Sequence, residues 1–187
     1  MHCCLWKQIS VIVKHRDQDD LLPIALREIG CTYLSYQVSR NFATKKKSYD
    51  GSTTLKMTGA DCIKLEEQIE KFARLFLRPG QMLEGNDQST IELRKPVEMF
   101  SLSRKISREL RALETTPERV QVFRVTAEKL FLLMQKHCPA ESTKSVLYVH
   151  ALRDYVTDMM EFWFKLLDWG YGYFSCTASE HLNKQLK

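Results

Sequence analysis

Apolar residues recur at three- and four-residue spacing along almost the whole chain, and the residues that interrupt such a pattern are scarce: seven glycines and five prolines among 187 residues. This periodicity belongs to helices, because side chains at i, i+3, i+4 and i+7 share one helix face. A sheet protein of this size needs many more turns, each with its own Gly, Asn or Pro. The expected fold is therefore all-α, a single-domain bundle of five to seven helices over residues 1–187. With 44% hydrophobic and 27% charged residues, the chain carries enough apolar material for a core and does not have a disordered composition.

The pattern places the helices in order. Leu5, Ile9 and Ile12 fit a short first helix, although the β-branched run Ile9 to Val13 keeps a strand open as the alternative. Asp19 or Asp20 caps a second helix with Pro23 in its first turn. Its stripe of Leu22, Leu26, Ile29, Tyr33 and Tyr36 runs to about Ala43, with Gly30 as a weak point. Residues 44–58, which include Lys45, Lys46, Lys47 and the turn-forming pair Asp50 and Gly51, read as an exposed connection. Ala60 to Arg78 forms a third helix stopped by Pro79 and Gly80, and residues 79–95 read as a second exposed loop.

Pro96 then suits the first turn of a fourth helix, striped by Met99, Leu102, Ile106, Leu110 and Leu113. Thr116 and Pro117 open a fifth near 117–137 that is apolar on nearly all sides, the mark of a central helix. A long sixth helix near 143–169 presents Val149, Leu152, Val156, Met159, Trp163 and Leu167, and Gly170 and Gly172 end it. Thr177 and Glu180 have the spacing of a capping box for a short last helix.

Three surfaces stand out for function. On the fourth helix Arg104, Arg108 and Arg111 fall within about 60° of one another, with Ser101 adjoining, opposite the apolar stripe. Guanidiniums so placed grip phosphates through bidentate bonds, and Lys45, Lys46 and Lys47 extend the patch if the fold brings them together. The plain alternative is a solvated polar face, since the net charge is only +5. On the sixth helix Asp154, Asp158 and Glu161 share a narrow acidic face. With Glu67 and Glu70 of the third helix they have the character of a Mg²⁺ site, or else are solvated or paired within the chain.

The third surface is aromatic. Of the run from Phe162 to Phe174, the part within the helix reads as core. Trp169, Tyr171, Tyr173 and Phe174 read as a partner interface, because Tyr and Trp bury large areas at small rotamer cost.

Other chemistries find no support. The histidines (His2, His15, His137, His150, His181) are scattered, and no phosphate loop, nucleophile elbow or paired Cys-x-x-Cys is present. No catalytic residue, metal ligand set or cofactor is therefore assigned. The N-terminal apolar runs are short and broken by Lys7 and Gln8, so the six cysteines read as reduced thiols in an intracellular chain, cytoplasmic or nuclear. The region from Val146 to Phe174 carries too many charges for a membrane span.

These features give a leading expectation: a non-enzymatic intracellular helical interaction and assembly protein that binds a protein partner or itself, as a homo-oligomer. The alternatives are sequence-nonspecific RNA or DNA binding through the arginine stripe, and a Mg²⁺-dependent all-α diphosphate hydrolase.

Overall fold

A computed structural model of the chain describes Ile9, Ile12, Val13 and residues 21–45, 58–137 and 151–174, with the backbone alone for 41–45, 173 and 174. Among the described residues every regular element is helical and there is no strand. The elements are α1 (Leu21–Glu28), α2 (Thr32–Lys45), α3 (Gly59–Arg74), α4 (Gln88–Arg111) and α5 (Pro117–His137). A π-helical turn (Ala151–Val156) then runs into α6 (Thr157–Leu167), and a 3-10 turn (Tyr171–Phe174) follows. Ile9, Ile12 and Val13 are helical as well. The all-α class read from the periodicity is the class observed, and none of the described helices is long and apolar enough to cross a membrane. Most of the 44–58 connection, residues 143–150 and the capping box at Thr177 lie outside the described residues.

By its internal contacts the chain divides into two compact units, Met1–Ser101 and Leu102–Lys187, with the boundary inside α4. The first unit is organised by two local signals that revise the sequence reading. Gly30, at φ +80°, ends what was expected to be one helix to Ala43: its N–H donates to Arg27 O (2.9 Å) and the Cys31 N–H to Leu26 O (2.8 Å). These are the paired bonds of a left-handed helix cap, a conformation that costs glycine little. The break resets the helical phase. α1 buries Leu22 and Leu26 while α2 buries Leu34, Ser35 and Val38, so that Tyr33 and Tyr36, placed on the apolar stripe by the sequence, are exposed. Two lysines of α3 hold the cap, Lys64 donating to Gly30 O (2.7 Å) and Lys71 to Glu28 O (2.9 Å).

The second signal is Asp87. Residues 79–95 are not wholly a loop, because α4 begins at Gln88 rather than at Pro96. The Asp87 carboxylate accepts from the Thr90 N–H (3.0 Å), the Thr90 hydroxyl (2.6 Å) and the Ser89 hydroxyl, so it caps a helix that begins eight residues ahead of Pro96. The Ser89 and Thr90 hydroxyls and the Thr90 amide hold this carboxyl well below the usual range. Pro96 lies buried inside the helix instead. α3 starts on a capping box in which Thr58 Oγ1 accepts from the Asp61 N–H and Asp61 Oδ2 accepts from the Thr58 N–H, both at 3.1 Å. Around these elements one continuous core forms, with Leu26, Leu34, Leu65, Phe72, Phe76 and Phe100 fully buried at its centre.

The second unit contains the last turns of α4, then α5, the π-turn, α6 and the 3-10 turn. Thr116 opens α5, accepting the Arg119 N–H on its hydroxyl (3.3 Å) and the Val120 N–H on its carbonyl (3.0 Å), as the Thr-Pro pair predicts. α5 buries one face, Val120, Phe123, Thr126, Ala127, Leu130, Phe131 and Met134. Of its other apolar residues Val122, Val125 and Leu132 are exposed and Leu133 is half-buried, so a helix apolar on nearly all sides in sequence leaves much of its second face open.

Candidate functional site

The described part of the expected sixth helix is not uniformly α-helical, and its outward side chains are not those expected. The Ala151–Val156 turn is π-helical, equivalent to one residue inserted into the α-helical ladder. After it the buried positions of α6 are Thr157 and Met160, one residue later than Val156 and Met159 on the expected stripe. Thr157 secures the junction by donating its hydroxyl to Arg153 O (3.1 Å). A different row faces outward: Met159, Phe162 and Leu166 along α6 are exposed, with Tyr155 before them in the π-turn and Trp169 after them. The spacing of these five positions is four, three, four, three. Phe162 packs edge-on against half-buried Trp163, ring centroids 5.1 Å apart at 77°, which limits the freedom of both rings.

The helix ends at Asp168, left-handed at φ 58°, whose N–H donates to Phe164 O (2.8 Å). Beyond it lies the Gly-Tyr-Gly segment. Neither glycine has a positive φ; what each requires is room. A Cβ on Gly170 would lie 2.5 Å from Ala112 O, and one on Gly172 would lie 2.6 Å from Ala112 O and Arg111 O. The Gly170 N–H donates to Leu113 O and the Gly172 N–H to Ala112 O, both at 2.8 Å. These are carbonyls at the end of α4 that lack helical partners. The segment after α6 is thus docked by its backbone, leaving Trp169 exposed and Tyr171 half-buried, while the Tyr173 and Phe174 side chains lie outside the described residues.

The acidic face is paired within the second unit. Arg124 of α5 donates to Glu161 Oε1 (2.8 Å) and lies 3.5 Å from Asp158 Oδ1, and Arg153 donates to Asp154 at 2.6 and 2.8 Å while stacking 4.6 Å from the Phe131 ring centre. Arg124, Arg153, Asp154 and Asp158, together with Glu128, line a cleft of about 290 Å³ whose charges largely compensate one another. Glu67 and Glu70 belong to the first unit, and among the described residues no group of three or more His, Cys, Asp or Glu side chains is placed to hold a metal ion.

The basic stripe lies at the end of α4. Arg104 is half-buried, Arg108 and Arg111 are exposed, and Arg111 Nε folds back to donate to Ser107 O (2.9 Å) in its own last turn. Ser101 is half-buried and closes the first unit. The Lys45 side chain, Lys46 and Lys47 lie outside the described residues.

Met159, Phe162 and Leu166, which sequence reasoning assigned to the core, are thus exposed, as Trp169 is. The four-three spacing of Tyr155, Met159, Phe162, Leu166 and Trp169 was the signal that could have found them, but a second apolar stripe on the same helix competes with it. Comparison with protein-family models, curated proteins and solved structures finds no match to this chain, so a functional reading rests on the chemistry of its own surfaces.

Proposed function

We propose that this protein is a non-enzymatic helical interaction and assembly protein, acting inside the cell through the aromatic and aliphatic face that α6 and Trp169 turn outward. The observation that carries this reading is the row Tyr155, Met159, Phe162, Leu166 and Trp169, all exposed and regularly spaced. Single exposed apolar residues are ordinary, whereas contiguous large ones mark binding surfaces. Aromatic and methionine side chains are the types enriched where proteins meet. The unbridged, buried thiols Cys31 and Cys62 support a reducing compartment.

The test is a double variant, Phe162→Ser with Leu166→Ser, compared with the wild type by chemical cross-linking and mass spectrometry, with helicity followed by circular dichroism. A folded variant that loses the wild-type contacts is the expected result. A folded variant that keeps all of them would overturn the reading.

Exposed Arg108 and Arg111 on one side of α4 favour a second reading, sequence-nonspecific RNA or DNA binding. Replacing Arg104, Arg108 and Arg111 by alanine is then expected to flatten the slope of log affinity against log salt by about 2 to 3. An unchanged slope would remove that stripe from consideration.

A further inference from the structure

The outward face of α6 is self-complementary, and we propose that its occupant is a second copy of this chain, with the two α6 helices packed antiparallel about a two-fold axis. This rests on the reading of that face as the interaction surface. Met159, Phe162 and Leu166 lie within α6 itself and set the register. Alternating four- and three-residue spacing is that of a seam between two helices, where each side chain fits among those of the facing helix. An antiparallel pairing sets Met159 across from Phe162 of the second copy, and the axis repeats that layer. The same register brings Tyr155 opposite Leu166 of the second copy.

Charge decides the direction. Asp158 and Lys165 each directly precede a seam residue, Met159 and Leu166, so both flank the seam on the same side. In an antiparallel pair that flank meets itself, and Asp158 of one copy faces Lys165 of the other, twice by symmetry. In a parallel pair Asp158 would instead face Trp163 of the second copy, and no ion pair forms. Asp158 keeps a long ion pair with Arg124, at 3.5 Å against 2.8 Å for Glu161, but its side chain is 77% exposed and so can also meet a second copy. Lys165 is exposed in the last turn and Asp158 lies in the first, so each also suits its end of the helix dipole. The opposite flank, Val156 and Trp163, is apolar and half-buried, and it meets its own kind across the axis.

A seam of this length falls at the small end of specific interfaces, so the association is expected to be reversible and micromolar or weaker. Sedimentation of the full chain over a wide concentration range at low salt tests it, with Asp158→Lys, Lys165→Asp and an equimolar mixture of the two. The wild type is expected to self-associate, and each variant alone to weaken this about tenfold by setting like charges opposite one another. The mixture is expected to recover wild-type affinity as a heterodimer, because its charges complement only across copies. Lys165→Asp leaves Arg124 and its partners untouched, so it carries the test even if Asp158→Lys disturbs the fold.

A wild type that stays monomeric throughout overturns the second copy as occupant, while the cross-linking comparison still decides whether the face binds anything. Self-association abolished by Phe162→Ser but indifferent to both charge variants overturns the antiparallel pairing and leaves the face as an interface. Self-association untouched by Phe162→Ser with Leu166→Ser overturns both.

Discussion

The two units of this chain treat large apolar side chains in opposite ways. The first sinks Phe72, Phe76 and Phe100 completely and leaves only Ile24, Tyr33, Tyr36 and Met82 in the open among its described large hydrophobic residues. The second exposes Val122, Val125 and Leu132 on α5 and Tyr155, Met159, Phe162, Leu166, Leu167 and Trp169 on and around α6. Burial of such groups is the main driving force of folding, so a unit that leaves many outside holds surface that folding has not used. The contrast separates residues that hold the fold from residues available for association.

That contrast is directly breakable. Phe72→Ala empties a fully buried site packed against Phe76, ring centroids 5.1 Å apart, and is expected to cost about 3–5 kcal/mol in denaturant titration. Phe162→Ala, the same chemical change on the exposed row, is expected to shift stability by no more than about 0.5 kcal/mol. Equal costs would erase the distinction between the units.

Gly172→Ala sharpens it within the second unit, where a methyl group 2.6 Å from two carbonyl oxygens forces the docked segment away from α4; a loss of about 1–3 kcal/mol is expected. Arg124→Ala removes the ion pairs that tie α5 to α6, but its side chain is 41% exposed and solvent-screened, so a loss below about 1 kcal/mol is expected in the same titration.

The smallest effect near neutral pH concerns the first unit's thiols. Burial first, with nearby carboxylates, pushes Cys31 and Cys62 up to about 11. Maleimide is expected to leave both unlabelled in the native protein near neutral pH and to label both in denaturant. The linkage has a definite sign. An unfolded thiol ionises near 9.0 and the folded ones near 11, so stability is unaffected below that interval and falls as pH rises through it. Stability that rises over that range would contradict the burial of these thiols.

The helical class and the start of α5 were legible because periodicity and the Thr116-Pro117 cap point the same way. Sequence reasoning failed wherever something reset the helical phase. Gly30 was visible as a weak point, yet a continuous stripe through Tyr33 and Tyr36 made a single helix look better than two. Asp87 was hidden by Pro96, since a proline is a stronger printed signal for a helix start than an aspartate followed by Ser and Thr. The π-turn at Ala151–Val156 leaves no composition mark at all, and in the helix after it the buried positions lie one residue later than the expected stripe, with Met159 exposed. Trp169 could be read as an anchor because it lies at a helix end. Phe162 and Leu166 could not, because large apolar residues within a helix read as core. Arg124 was missed for a related reason: its partners Asp158 and Glu161 are more than thirty positions away in sequence.

The backbone bonds from Gly170 and Gly172 to the end of α4 have a consequence in time. They join residues nearly sixty positions apart, so they form only after the intervening chain has been made and has folded back. While the chain is being synthesised from its N-terminus, the first unit can complete its core, whereas Ala112 and Leu113 keep bare carbonyls until the Gly-Tyr-Gly segment arrives. The second unit therefore closes last, and a chain stopped short of Gly170 is left with the end of α4 unsealed.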